Sequence, residues 1–161
     1  AMKLLTDRRV AFEYFIIGDG PTKDTERYTF QSYEYGLNTT VFFCGKLSHQ
    51  ETLAKLQTCD IYLQPSINEG FCNAVLEAQA LGKLVITSNV GGLPENIKDG
   101  ETGWLVPPQN AVVLANQIQE VMTLSEDKKQ QVSRAAVTRV HKLFNIAQQQ
   151  QEFVSFYNDG I

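Results

Sequence analysis

Hydrophobic residues gather into short runs along the chain, and longer polar stretches with regularly spaced apolar positions lie between the runs. Runs with few polar residues are typical of strands buried on both faces of a sheet. Strands are therefore predicted at residues 10–17, 41–45, 61–64 and 84–87, with a further small strand at 104–106.

The stretches between the runs have the periodicity of amphipathic helices. Ser48 and Glu51 have capping-box spacing at the start of one helix, and Gly82 stands where another ends. The predicted helices are residues 2–8, 22–36, 49–58, 70–81, 110–124, 126–144 and 146–158. This alternation predicts an α/β fold: a Rossmann-like, doubly wound parallel sheet with helices on both faces, plus C-terminal helices.

Composition narrows the class of protein. The 161 residues suit one domain with a real core, and 43% hydrophobic with 20% charged residues is ordinary for a globular protein. The net charge is -4 and no basic face is visible, so a nucleic-acid partner is not expected. No apolar run reaches the length of a membrane span, and no signal peptide opens the chain.

Cys44, Cys59 and Cys72 are odd in number and lack CxxC spacing, which favours reduced, buried thiols in a cytosolic protein. His49 and His141 have no second ligand nearby in the sequence, so no metal site is predicted. The expected location is cytoplasmic.

The chemistry is concentrated at residues 65–78. Glu69 lies in a loop before Gly70, and Glu77 is predicted about two turns inside a largely buried helix, where an unpaired carboxylate would be costly. The first-turn N–H groups of that helix attract phosphate. A bound diphosphate could place its sugar against Glu69 and its ribose near Glu77. Alternatively, Glu69 only interacts favourably with the dipole of a helix N-terminus, and Glu77 is a solvated helix residue.

Glycine-rich loops follow other predicted strands. They are Gly18-Asp19-Gly20-Pro21, Gly45 and Gly91-Gly92-Leu93-Pro94-Glu95. Such loops let the backbone approach a ligand, although each is also a plain turn, and the first lacks the full GxGxxG fingerprint.

These pieces together carry a resemblance. IIGDGP, VFFCG, CDIYLQPSINEGFCNAVLEAQALGKLVI and NVGGLPENIKDGETGWLVPP occur in this order over about residues 10–125. The set resembles the C-terminal domain of retaining glycosyltransferases of the GT-B fold, in the large family 4 group. The EGxxNAVLEA variant is similar to enzymes that build bacterial surface polysaccharides.

The resemblance implies a donor site. The family's EX7E motif maps onto Glu69, which holds the donor sugar and is the expected catalytic residue, and Glu77, which binds the ribose. Cys72 stands where the family usually has glycine, so the sugar pocket is expected to differ. The implied donor-binding residues are Gly18, Gly20, Gly45, Glu69, Gly70, Phe71, Cys72, Asn73, Glu77, Gly91 and Gly92.

The resemblance also implies the domain organisation. Residues 1–161 are expected to be a single donor-binding domain, the C-terminal half of a two-domain enzyme. Its first strand, with the family's Arg and Lys for the diphosphate, is expected to be truncated. The acceptor domain is expected to be missing, so the isolated fragment should be inactive.

The implied reaction of the parent enzyme is transfer of a hexose from a nucleotide-diphosphate sugar to an acceptor with retention. No metal or other cofactor is implied, and a UDP-sugar is favoured over GDP-mannose. The expected acceptor is a saccharide or a lipid-linked acceptor, bound through the missing N-terminal domain. A lipid-linked acceptor would put the parent at the inner face of the cytoplasmic membrane.

Two other functions are considered. A glycosidase could use Glu69 and Glu77 as its carboxylate pair, although helical spacing argues against their flanking one bond. A non-catalytic Rossmann-like nucleotide-binding or interaction module would need no catalytic residue. The aromatic residues of helix 146–158 could pack in this domain's core or on the missing domain, and both options stay open.

Overall fold

Helices and strands alternate along the chain in the computed structural model, which describes residues 1–144. The predicted helix 146–158 lies outside the described residues. In chain order the elements are α1 (Met2–Asp7), β1 (Tyr14–Ile17), α2 (Thr22–Glu34), β2 (Val41–Gly45), α3 (His49–Gln57), β3 (Ile61–Gln64), α4 (Asn73–Ala80), β4 (Leu84–Ser88), α5 (Leu93–Asn96), β5 (Trp104–Val106), α6 (Ala111–Thr123) and α7 (Glu126–Leu143).

The first strand is shorter than predicted, because part of the apolar run closes α1. Arg9 has a positive φ of 59°. The N–H of Val10 reaches back to the carbonyl of Leu5 at 3.0 Å, as at a helix C-terminus with a left-handed residue. Pairing with the neighbouring strand begins at Tyr14.

All strand pairs of the described residues are parallel, so the α/β fold-class prediction is confirmed. β1 pairs with β2, with Tyr14 opposite Val41. β3, β4 and β5 form a second group with β4 in the centre. Ile61 of β3 lies opposite Leu84 of β4, and Ile86 of β4 lies opposite Trp104 of β5.

The described residues divide into two compact units, one containing residues 1–59 and 109–123 and the other containing residues 60–108 and 124–144. The prediction of a single donor-binding domain stays a prediction. In the first unit, α1 packs against α6. The Arg8 guanidinium donates to the side chains of Asn116 at 2.8 Å and Gln119 at 3.0 Å. Buried apolar residues of this unit are Leu5, Leu37, Val41, Leu56, Ala115, Ile118 and Val121.

The second unit is built around β4, whose five residues are all buried. Both α4 and α7 pack against this strand and against each other. The predicted helix stop at Gly82 is confirmed: this residue has a φ of 72°, and its carbonyl accepts from the Ser133 hydroxyl of α7 at 2.7 Å. The end of α4 is therefore tied to α7.

The three cysteines are free, but only Cys72 is buried, whereas Cys44 and Cys59 are half-buried. The prediction of three buried thiols is thus right for Cys72 alone. None of the helices described within residues 1–144 combines the length and the hydropathy of a membrane span.

The predicted capping box at α3 is present. The Ser48 hydroxyl accepts from the N–H of Glu51 at 3.3 Å, and the Glu51 carboxylate accepts from the N–H of Ser48 at 2.8 Å. Hydrogen bonds from the Ser48 side chain, and then from its backbone, lower the pKa of Glu51. Because the pKa of Glu51 is lower in the folded than in the unfolded chain, these hydrogen bonds stabilise the folded state. The stabilisation is present above the unfolded pKa of Glu51 and is lost as the pH falls through its folded pKa.

We expect Ser48→Ala to raise the pKa of Glu51 toward its ordinary value, because the variant removes the side-chain hydrogen bond to the carboxylate. The loss of unfolding free energy should be largest near neutral pH and shrink in acid. Carboxyl NMR titration and urea unfolding at several pH values measure both effects. Gln50→Ala, at an exposed position of the same helix, is the control. An unchanged pKa of Glu51 would contradict the capping assignment.

Candidate functional site

Two of the predicted site loops meet at one edge of the second unit. Residues 65–72 follow β3 and residues 89–92 follow β4. β3 and β4 are parallel neighbours, so both loops leave the sheet at its carboxyl edge. This is the edge at which parallel α/β sheets bind ligands.

The two loops pack backbone to backbone. The N–H of Gly92 donates to the carbonyl of Glu69 at 3.2 Å. A Cβ on Gly91, where φ is 51°, would lie 1.8 Å from that carbonyl oxygen. A Cβ on Gly92 would lie 2.9 Å from the carbonyl oxygen of Gly70. The glycines are therefore required by close packing, and they hold the loop that carries Glu69.

The Glu69 side chain is half-buried and held through one of its oxygens. Its Oε2 accepts from Gln64 Nε2 and from Ser66 Oγ, each at 3.1 Å. None of the described residues donates to Oε1, so this oxygen can accept from a ligand. Glu69 is therefore an oriented carboxylate.

The helix after this loop has no side-chain cap. α4 begins at Asn73, three residues later than predicted, because residues 70–72 belong to the packed loop. Its N-cap residue, Cys72, makes no capping hydrogen bond, and the first turn contains no acidic residue. α3 and α7, by contrast, are capped by the hydroxyls of Ser48 and Ser125. The N-terminus of α4 can thus receive an anion.

A buried amide supports the same loop. Asn96 of α5 is fully buried, and its Oδ1 accepts from the N–H of Cys72 at 3.4 Å. This contact joins the start of α4 to the segment that follows Gly91 and Gly92. Cys72 is buried, and its effect on the sugar pocket stays a prediction.

Glu77 lies closer to the start of α4 than predicted. As the fifth residue of the helix, it is about 6 Å along the axis from Asn73, which is about one turn rather than two. Glu77 is half-buried, and α4 buries only the stripe of Val75, Ala78 and Gln79. The prediction of a largely buried helix was wrong, because this short helix covers the sheet with one face. Because Glu77 is only half-buried, the desolvation cost of its carboxylate is smaller than predicted.

The remaining predicted residues belong to the first unit. Gly18 follows β1, and Gly45 is the last residue of β2. The N–H of Gly18 donates to the carbonyl of Gly45 at 2.9 Å. Both have positive φ, and a Cβ on either would meet no atom within 4 Å. The N–H of Gly20 donates to Asp19 Oδ1 at 2.9 Å. Their contact with a ligand stays a prediction.

Sequence reasoning missed Gln64, Ser66 and Asn96. The sequence does contain a signal for Gln64, because it is a polar residue at the end of an otherwise apolar strand, directly before the loop with Glu69. Nothing in the sequence distinguished Asn96, which stands among polar and apolar neighbours in a short helix.

The fold and these loops define the class of protein to which the chain belongs. Parallel strands with an uncapped helix N-terminus and close-packed glycine loops at their carboxyl edge are typical of α/β proteins that bind phosphorylated ligands. The sequence profile described as "Glycosyl transferases group 1" matches residues 1–138. The chain belongs to this glycosyltransferase family.

Individual relatives agree with this assignment. The chain is 32% identical over 151 residues to the putative colanic acid biosynthesis glycosyltransferase WcaL of Salmonella typhimurium, covering 90% of the chain and 37% of WcaL. The chain therefore spans well under half of that relative.

Solved structures show the same fold. Sucrose-phosphate synthase from Thermosynechococcus elongatus superposes with a TM-score of 0.86 at 28% identity, covering 98% of this chain and 41% of that one. HepE from Anabaena, solved in complex with UDP-glucose, gives a TM-score of 0.82 at 23% identity, covering 91% and 41% of the two chains.

We expect Gly91→Ala to destabilise the second unit by about 1–3 kcal/mol more than Gly100→Ala, because only the first methyl group collides with backbone. Gly100 has a φ of 72° and open space at its Cβ, so its variant carries the conformational strain alone. Urea unfolding of both variants measures the difference. Equal losses would mean that the contact between the two loops is not tight.

Proposed function

We propose that the chain provides the donor site of a retaining glycosyltransferase that takes a hexose from a nucleotide-diphosphate sugar. The observation that carries the proposal is the Glu69 loop. It is held by Gly91 and Gly92 and runs directly into the uncapped N-terminus of α4. Family membership supports the reaction class.

The diphosphate would bind at the N-terminus of α4. The first-turn N–H groups carry partial positive charge, and no described side chain caps them. As the bond from the sugar to the diphosphate breaks, negative charge grows on the leaving phosphate oxygen. Oriented N–H groups there would stabilise the transition state more than the bound donor. We therefore propose that the transfer reaction needs no metal or other cofactor.

The donor sugar would lie against Glu69. Its Oε1 has no donor among the described residues, and a carboxylate accepts strong, charge-assisted hydrogen bonds from sugar hydroxyls. The loop is fixed by backbone packing, so the carboxylate would be in place before the donor binds.

The ribose would lie near Glu77, about one helical turn from the diphosphate position. The two oxygens of a carboxylate can accept from both hydroxyls of a vicinal diol. We also propose that the turns with Gly18, Gly20 and Gly45 border the nucleotide base, as the family resemblance implies.

We propose UDP as the nucleotide, with GDP second. Support comes from HepE, a structural neighbour solved with UDP-glucose. We propose a saccharide or lipid-linked acceptor. The name of WcaL, which refers to colanic acid biosynthesis, supports the saccharide. The acceptor would bind to a part of the enzyme outside this chain. With a lipid-linked acceptor, the enzyme would work at the inner face of the cytoplasmic membrane.

We expect UDP at millimolar concentration to shift the backbone NMR signals of Gly70, Phe71 and Asn73, because its phosphates would meet the N–H groups there. GDP and ADP, titrated in the same way, should give smaller shifts. Signals of Gly18, Gly20 and Gly45 in the same spectra test the predicted base contacts. Equal shifts with all three nucleotides would contradict the choice of UDP, and no shifts at α4 would contradict the diphosphate site.

We expect Glu77→Ala to weaken UDP and UDP-glucose equally, by about tenfold, since it removes a charged hydrogen-bond acceptor for the ribose. Glu69→Ala should weaken UDP-glucose by a similar factor and leave UDP unchanged. Calorimetric titrations measure both affinities. The control is Glu101→Ala, an exposed glutamate paired with Lys98 in the same unit. Equal losses for the two ligands in Glu69→Ala would contradict its sugar contact.

A further inference from the structure

A chain of hydrogen bonds runs from β3 to Glu69. The Tyr62 hydroxyl donates to Gln64 Oε1 at 2.5 Å. Gln64 Nε2 donates to Ser66 Oγ at 2.8 Å and to Glu69 Oε2 at 3.1 Å. The Ser66 hydroxyl also donates to Glu69 Oε2, at 3.1 Å. The chain therefore ends with two donors on one carboxylate oxygen.

The direction of this chain is fixed at the end where the Glu69 carboxylate lies. An ionised carboxylate can only accept, so the Gln64 NH₂ group and the Ser66 hydroxyl must donate toward Glu69. The Gln64 carbonyl is then the group that faces the Tyr62 hydroxyl. Tyr62 and Gln64 are two residues apart in a strand, so their side chains share one face.

The surroundings strengthen these bonds. All four residues are half-buried, and hydrogen bonds partly removed from water polarise one another and resist exchange with solvent. Holding Oε2 restricts the rotation of the Glu69 side chain and leaves Oε1 on the opposite side of the carboxylate. A ligand hydroxyl would then meet an acceptor whose orientation is already set.

We propose that Gln64 and Ser66 are positioning residues for Glu69, and that Tyr62 orients the Gln64 amide. This inference rests on the proposed function of Glu69 as a contact of the donor sugar. It assigns the end of β3 a specific role: recognition of the sugar moiety, with no part in binding the nucleotide.

The test compares calorimetric affinities for UDP-glucose and UDP in Gln64→Leu and Ser66→Ala. Each variant should bind UDP-glucose roughly fivefold to tenfold more weakly, the effect of losing one hydrogen bond to a charged group, and UDP within about twofold of wild type. Ser66→Thr keeps the hydroxyl and should keep the wild-type ratio. Gln131→Leu makes the same exchange on the exposed face of α7 and should change neither affinity.

Coupling to Glu69 separates positioning from general damage. Gln64→Leu made in the Glu69→Ala background should cause no further loss, because there is no carboxylate left to position. An additive loss would overturn the proposal. Should Gln64→Leu fail to fold, Ser66→Ala provides the same cycle.

Failure of the inference differs from failure of the proposed function. If Glu69→Ala selectively loses affinity for UDP-glucose but Gln64→Leu and Ser66→Ala keep it, only the positioning role is wrong. If wild type binds UDP-glucose no better than Glu69→Ala does, the sugar contact is wrong and the positioning role with it. A readout without ligand is the side-chain amide NMR signal of Gln64, which should shift in Glu69→Ala. An unmoved signal would overturn the hydrogen-bond chain.

Discussion

The candidate site depends on the close contact between two loop backbones. Gly91 and Gly92 meet the carbonyls of Glu69 and Gly70 at distances that leave no room for a Cβ. Because of this contact, the loop that carries Glu69 has one position relative to the sheet, and the start of α4 follows from it. The buried amide of Asn96, which accepts from the N–H of Cys72, extends the same support to the helix N-terminus.

The start of α4 has neither a side-chain cap nor an acid in its first turn. At the starts of α3 and α7, by comparison, the hydroxyls of Ser48 and Ser125 accept from backbone N–H groups. The N-cap residue of α4 is Cys72, whose side chain makes no such bond. Under the proposed function, an anion bound there would offset the stability that the missing cap costs.

The sequence predicted most of the fold because strand and helix patterns are local. β3 and β5 have the predicted bounds, and the capping box at Ser48 and the stop at Gly82 are present. The wrong element bounds lie in segments whose structure depends on contacts with residues distant in the sequence. β1 is shortened by the turn that closes α1. The start of α4 is delayed because Gly70 and Phe71 pack against Gly92, and the N–H of Cys72 donates to Asn96.

By itself, the sequence determined the order of elements, the parallel α/β class and the identity of the key acids and glycines, since burial patterns and turn residues are written along the chain. Only the tertiary structure decided what these residues do for one another. Gly91 and Glu69 are 22 positions apart in the sequence, and Gln64 is recognisable as a partner of Glu69 only when the loop folds back on β3. Hydrogen bonds and steric contacts depend on distances in space, and these are set when parallel strands place their loops at one edge.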